Sequence, residues 1–430
     1  MIHDPSMAVR QRQTRNGGHL TGNAARGTGN DKTKMLYKVV ISLYSCLKLS
    51  GPVAPGQCPP TREKEGLMMP PANRYRLLLL VCLCLILAAS TAPAQAKTVW
   101  RAQSSYPAGL PQLYTPAERF AELVEELTDG ELVIKMQPGG AIVPSKRVFS
   151  AVDKGVLDLG ATWAGWWMGK FPSAALFANS RPNGMQLREM LAWVEHGGGL
   201  KLWNQLYADH NVRVLHPYGM LGSENFCWSR EPIESLEDFQ GLKFRTVGIW
   251  GRILEDLGAQ VVQLPGGEVY PSLERGVIDA AEFATPGIDR ELGFEEICSY
   301  LLVPGIHEPC TPLETLVNKD SWNSLSPEIQ SKVRLAAKIS CFEAINRAMV
   351  QDAEAMNHFL QSDDVSVSRI TPAMIERIKE LGRAKLDQMA SEDEMFARVL
   401  ESQREFRRKV EPYAELIRLP YPYANGGSEE

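Results

Sequence analysis

Gly241-Leu-Lys-Phe-Arg245, followed after a helical run by Pro265-Gly-Gly-Glu-Val-Tyr-Pro-Ser-Leu-Glu-Arg-Gly-Val-Ile-Asp-Ala-Ala-Glu282, is the stretch on which the reading of this chain turns. Residues 242–246 have the composition of a short buried strand with an arginine set inside it. An unpaired guanidinium among apolar neighbours is too costly to keep, so Arg245 requires a partner. Its planar fork suits a carboxylate held by two parallel hydrogen bonds. That carboxylate belongs either to the protein, with Glu268 and Glu255 as candidates, or to a bound molecule.

Downstream, the pattern predicts a helix over 248–257 stopped at Gly258, a strand at 260–263 and another at 277–281. A similar unit stands earlier in the chain. Ala151-Val-Asp-Lys-Gly-Val-Leu-Asp158 parallels Leu273-Glu-Arg-Gly-Val-Ile-Asp279, each a helix end, a capping glycine and an entering strand. Residues 98–104 alternate as a first strand, and 115–128 form an amphipathic helix with Phe120, Leu123, Val124 and Leu127 on one stripe. A strand at 131–136, a helix at 145–154 and a strand at 156–163 follow. Alternating strands and helices imply mainly parallel sheet covered by helices. Two lobes built alike would each present strand ends to a shared crevice, where open α/β sheets place ligands.

Beyond Pro304 the character changes. Residues 326–360 and 372–412 read as long, densely charged helices, with Ile375, Ile378, Leu381 and Leu386 on one face of the second. Such a helix either packs on a lobe or reaches out to a second copy of the chain. The tail, 420–430, is rich in Gly, Pro and acid, and reads as loose.

The chain has 430 residues, enough for two or three domains, and 44% apolar and 23% charged residues, ordinary for a soluble globular protein. The net charge of −5 conceals an asymmetry: residues 1–96 carry 12 Lys+Arg against 4 Asp+Glu, and the rest 34 against 47. An acidic body without a basic stripe argues against nucleic acid as a partner. Arg74 and Arg76, the 13-residue apolar run 77–89 and Ala94-Gln-Ala96 have the order of a secretory signal, expected over 68–96 and cleaved after Ala96. Thirteen apolar residues fall short of the roughly 20 that span a bilayer. Residues 1–67 show no sustained period and read as a disordered extension ahead of a true start at Met68 or Met69. Of the mature chain's cysteines, Cys227, Cys298, Cys310 and Cys341 match no zinc spacing, and no disulfide pairing follows from sequence.

No serine or cysteine lies in an elbow motif, and Pro138-Gly-Gly140 lacks the Gly-Lys-Ser/Thr ending of a phosphate loop. His307-Glu308 is one adjacent pair, weak evidence for a metal, and reads as a loop lining the cleft. Trp163, Trp166 and Trp167 are core residues by default. Trp163, just past a strand, is also placed to line the crevice, and Tyr106, after the first strand, to offer a hydroxyl.

With these residues in view, the mature chain resembles the solute-binding proteins of TRAP transporters, receptors that serve uptake of organic acids. The likeness runs from about Lys97 to Leu360 and is carried by Phe149-Ser-Ala-Val-Asp-Lys-Gly-Val-Leu-Asp-Leu-Gly160, Gly-Leu-Lys-Phe-Arg245 and Gly-Gly-Glu-Val-Tyr-Pro-Ser-Leu-Glu-Arg-Gly-Val-Ile-Asp-Ala-Ala-Glu282. The last run is closest to the branch that binds 2-oxo acids and other small monocarboxylates.

The resemblance implies a two-lobed periplasmic binding protein of α/β class, with hinge segments and long C-terminal helices. Lobe I is expected over 97–218 with parts of 306–360, lobe II over 219–305, and C-terminal helices and tail over 361–430. It implies no enzymatic activity, a small organic anion as ligand, TRAP membrane subunits as partners and location in the periplasm; the long charged helices leave open a homodimer formed through a C-terminal helix. Arg245 matches the arginine that holds the substrate carboxylate. Glu282 and Phe283 match a Glu-Trp pair whose glutamate, with a glutamine, holds a cation, calcium or sodium; the glutamine's place falls on Glu224 in Gly222-Ser-Glu-Asn-Phe-Cys-Trp228. The expected substrate residues are therefore Arg245, Glu224, Trp163, Tyr106 and Phe283, and the expected metal residues Glu282, Glu224 and Phe283.

Two departures stand out. Phe283 lacks the indole N–H, and a second carboxylate at Glu224 favours a harder cation such as Ca²⁺, a ligand with a cationic group, or no metal. Rival readings are a periplasmic enzyme using Glu282 as a base with a metal, and a ligand-sensing subunit of a signalling receptor.

Overall fold

The computed structural model describes residues 97–417, so the expected extension, the signal segment and the end of the tail lie outside the described residues. The first sheet contains β1 Thr98–Ser104, β2 Leu132–Gln137, β3 Leu159–Thr162, β4 Val212–Val214 and β5 Gly219–Leu221. The second contains β6 Cys227–Ser229, β7 Lys243–Arg245, β8 Gln260–Val262, β9 Ala280–Ala281 and β10 Tyr300–Val303. Two later strands complete them: β11 Thr311–Asn318 returns to the first sheet and β12 Ser366–Arg369 to the second. The orders are β2-β1-β3-β11-β4, with β5 also on β11, and β12-β10-β6-β9-β7-β8.

The parallel expectation holds within each βαβ unit and for β12 beside β10. β1 pairs parallel with β2 and β3, and β7 with β8 and β9. β11 runs antiparallel to β3, β4 and β5, and β6 antiparallel to β9 and β10. Both sheets are mixed because each takes in a strand arriving from the other lobe rather than from a helical crossover. Two expected boundaries move for the same reason: β5, expected in the second lobe, lies in the first sheet, and β12, expected among C-terminal helices, lies in the second.

The chain passes between the sheets through 222–226 and 304–310, and these two crossovers touch. Gly305 N donates to Glu224 O at 2.7 Å, and Glu224 N to Glu308 O at 3.2 Å. A Cβ on Gly305 would lie 2.4 Å from Glu224 O, so a side chain there would force the crossovers apart.

The helix Pro111–Leu127 buries Phe120, Leu123 and Val124, starting earlier than expected because Pro111 suits a first helical turn. The helix Pro327–Gln361 packs on it and also on Pro286–Glu291 of the second lobe, bracing both. The single helix expected over 372–412 is two, Pro372–Glu392 and Glu394–Leu416. Asp393 interrupts them, its side chain accepting from Phe396 N at 2.6 Å as the N-cap of the second. No helix among the described residues is long and apolar enough to cross a membrane. Cys227, Cys298, Cys310 and Cys341 are all buried and free.

Candidate functional site

The ends of β7 and β9 and the two crossovers converge on one chamber of about 40 Å³. Tyr106, Trp163, Glu224, Arg245 and Phe283, five residues singled out by sequence, line it together, along with Trp166 and Glu308. A larger cleft of about 390 Å³ shares Trp163, Trp166 and Val247 with the chamber and continues outward past Lys146 and Gln263. The chamber holds the charged chemistry although the outer cleft is larger, since Arg245 and Glu224 line only the former.

Arg245 ends β7 and is 2% exposed. Its protein partner is neither Glu268 nor Glu255 but Glu282, at 3.4 Å from Nη1. Nη1 also donates to Glu282 O, while Nε and Nη2 share Leu264 O at 3.1 and 3.0 Å. Of the five N–H groups of a guanidinium, four are thus engaged, mostly by neutral carbonyls, and one on Nη2 is left. The 3.4 Å contact is longer than a charge-assisted bond of about 2.8 Å. The Phe283 ring lies under the guanidinium, 4.9 Å from its centre, and a Cβ on Gly266 would strike that ring.

Glu282 follows β9 and takes Val247 N at 3.2 Å on the oxygen facing Arg245. Its other oxygen is 3.9 Å from His307 Nε2, which is 3.3 Å from Glu224 Oε2. One donor atom each from Glu224, Glu282 and His307 falls within 4.8 Å of the others, and all three residues are buried. The His307 ring stacks on Trp250 at 5.9 Å and meets the edge of Phe226 at 5.5 Å. Both His307 nitrogens and Glu224 Oε2 are buried without a hydrogen-bond partner.

These groups repel as much as they attract. Burial, and then Glu282, push the Glu224 carboxyl well above its ordinary value. Burial, and then Glu224, do the same to Glu308. Glu282 is also disfavoured by burial, but Arg245 and His307 outweigh that and hold it at about 2. Asp289, behind them, is raised by burial to about 8 although Asn225, Trp228 and the Ala284 amide donate to it. One guanidinium therefore keeps one carboxylate ionised, and the others are left to share protons.

Trp163 lines the chamber with its ring, but its indole N–H already reaches Ala178 O at 3.4 Å. Trp166 has a buried indole nitrogen without an acceptor, and so is the better placed donor of the two. Burial, and then Glu308, raise the Tyr106 hydroxyl, so it remains a neutral donor. Phe283 brings no side-chain donor to the cluster; His307 does. His307-Glu308, expected as a loop lining the cleft, and Trp166, expected in the core, were not among the expected site residues, because their meeting with Glu224 depends on the paired crossovers.

Two lobes joined by crossovers, with an arginine and a carboxylate cluster in the seam, define a two-lobed solute receptor. The chain belongs to the bacterial extracellular solute-binding proteins of family 7, the solute receptors of TRAP transporters; the family model matches residues 104–393. A Nostoc relative described as a monocarboxylate 2-oxoacid-binding periplasmic protein is 33% identical over 75% of this chain and 87% of its own. A TRAP solute-binding protein of Bordetella bronchiseptica, solved with copurified calcium and picolinate, is 27% identical with a TM-score of 0.71, covering 75% of this chain and 95% of that one. A protein of Colwellia psychrerythraea, solved with calcium and pyruvate, is 28% identical over 75% of this chain and 97% of its own, also at a TM-score of 0.71. One of Pseudoalteromonas atlantica, with sodium and pyruvate, is 26% identical at the same TM-score, covering 75% of this chain and 97% of its own.

Proposed function

We propose that this chain captures a small monocarboxylate of the 2-oxo acid class in the periplasm and hands it to the membrane subunits of a TRAP transporter. The observation that carries the reading is that Arg245, with an N–H to spare, faces the same chamber as Glu224, Trp166 and Tyr106. A ligand carboxylate takes that N–H and competes with Glu282 for Nη1, a trade favoured by the weak 3.4 Å contact. Trp166 and Tyr106 supply neutral donors to the ligand's remaining oxygens, and the Phe283 ring holds the guanidinium flat.

The residues present fit a cation. Glu224 Oε2, without a hydrogen-bond partner, and the Glu282 oxygen that faces His307 are hard donors suited to calcium or sodium, and the buried excess of carboxyl groups lacks positive charge. Glu224 and Glu282 would hold the ion, with His307 orienting Glu224 from behind; a bound ion supplies positive charge that attracts the anionic ligand. Phe283 offers the ion no side-chain ligand. At about 40 Å³ the chamber admits a ligand only when its walls part. Because Glu224 and Glu308 sit on the crossovers themselves, filling the chamber bears directly on the hinge.

Calorimetry with pyruvate and other small 2-oxo acids, after chelation and with calcium or sodium restored, tests this. Saturable binding strengthened by a cation, with the acid recovered unchanged, is expected; failure of all such acids with either cation ends the reading. The long helix favours a homodimer: Leu335, Phe342 and Met349, at intervals of seven, are 48, 70 and 71% exposed on one stripe. Phe342→Glu is expected to shift a dimer to monomer in light scattering, and an unchanged mass would exclude this face.

A further inference from the structure

A second chamber, this one cationic, lies where the segment 179–184 meets the two C-terminal helices. It holds about 370 Å³ and is lined by Arg181, Arg383, Arg404 and Arg407, with Asp387 as the acidic residue in its wall. Arg181 is 3% exposed and forms no ion pair among the described residues: Nη1 donates to Asn183 O at 3.0 Å and Nη2 to Gln403 Oε1 at 2.7 Å. Its Nε is buried without any acceptor. Arg407 gives its N–H groups to Asn183 O and Gly184 O and lies 3.5 Å from Glu189. Arg404 pairs with Asp387 at 2.6 Å.

Four guanidiniums thus face two carboxylates, and the most buried of the four has neither. Burial, then Arg407 and Arg404, lower the Arg181 pKa to about 9, the direction expected where positive charge is crowded and uncompensated. A protein that only needed to fill this space could do so with apolar side chains. Guanidinium forks gathered around a cavity are the usual means of holding a multiply charged oxyanion.

We propose that this chamber binds a small dianionic oxyanion, of the phosphate, sulfate or dicarboxylate kind, separately from the ligand of the cleft. Arg181 would anchor it from the first lobe, and Arg404 and Arg407 from the last helix. The segment reaches the second lobe, since Ser180 O accepts from Ile249 N at 3.3 Å, and so does the helix Pro372–Glu392, whose Lys385 pairs with Asp256 at 2.6 Å. Occupancy therefore braces the contact between the C-terminal helices and both lobes.

The test titrates the mature chain with sulfate, phosphate and succinate against sodium chloride at matched ionic strength, reading the melting temperature and calorimetric heat. A saturable rise with any of the three, retained in Arg245→Ala and weakened at least tenfold in the double variant Arg404→Gln/Arg407→Gln, is expected; the ranking of the three tells inorganic from carboxylate ligands. Arg181→Gln should abolish it. Arg404 is half-buried, so the single variant Arg404→Gln decides the matter where Arg181→Gln fails to fold. A rise matched by chloride, or one lost in Arg245→Ala and kept in the double variant, overturns the proposal.

Discussion

Glu314 and the carboxyl groups of the hinge chamber are equally buried, yet their surroundings differ in kind. Glu314, on β11, accepts from Thr162 Oγ1 at 2.9 Å, Trp167 Nε1 at 3.0 Å and Trp203 Nε1 at 2.9 Å. Each of its oxygens has a donor fixed by the core, and no room remains for a ligand. Around the chamber, Glu224, Glu282 and Glu308 crowd one another, and Glu224 Oε2 and both His307 nitrogens have no hydrogen-bond partner. Burial of a charged group is thus not by itself the mark of a site. Unsatisfied atoms, gathered beside a space, distinguish the hinge from the core.

The comparison can be broken most directly at Arg245. Arg245→Ala is expected to weaken ligand binding at least a thousandfold, about 4 kcal/mol, in calorimetry. Arg245→Lys should lose at least tenfold because an ammonium lacks the flat fork; near-native affinity of the lysine variant would remove Arg245 from the ligand. On the core side, Glu314→Ala should cost about 3 kcal/mol in chemical unfolding by stranding two indole N–H groups, with ligand affinity altered far less.

The pH dependence sharpens the same contrast. Burial outweighs the donors around Glu314 and lifts its pKa from 4.5 to about 7. The folded state thus holds this proton more tightly than the unfolded chain. Its contribution to stability is full below about pH 4.5 and is lost as pH rises to about 7. Relative to Glu314→Gln, the native chain should lose roughly 3 kcal/mol across that window, read from denaturant midpoints at each pH. A constant difference would show Glu314 already ionised at low pH.

The smallest effect on the fold is expected at Glu224. Replacing it with glutamine removes a like charge from a crowded site, so unliganded stability should change by less than about 1 kcal/mol or rise. Cation affinity should nevertheless fall about tenfold in a calcium titration, because a charged oxygen has become an amide. Unchanged cation affinity would move the ion elsewhere.

Much of this was readable before the structure. The spacing of apolar residues located β1 and β7 within a residue and found the helix Gly248–Asp256, because these elements are local and their periods survive any tertiary context. The buried arginine in β7 could be named as needing a partner from its neighbours alone. The residues from 222 to 226 and from 304 to 310 gave no such signal. They are crossovers, whose short segments have no period, and their pairing joins residues about eighty positions apart. β11 was missed for a related reason: as a central strand buried on both faces, it shows no alternation.

The alternation of strands and helices, the acidic character of the body and the placing of Arg245 at a strand end were written in the amino-acid order, because propensity, periodicity and the cost of burying charge act along the chain; the two lobes came from the family resemblance. Only the tertiary structure decided that Glu282 rather than Glu255 or Glu268 faces that arginine, that His307 joins Glu224, and that Arg181 meets Arg404 and Arg407. Those meetings depend on how distant segments pack, and electrostatic interactions act through distance in space, which sequence separation does not encode.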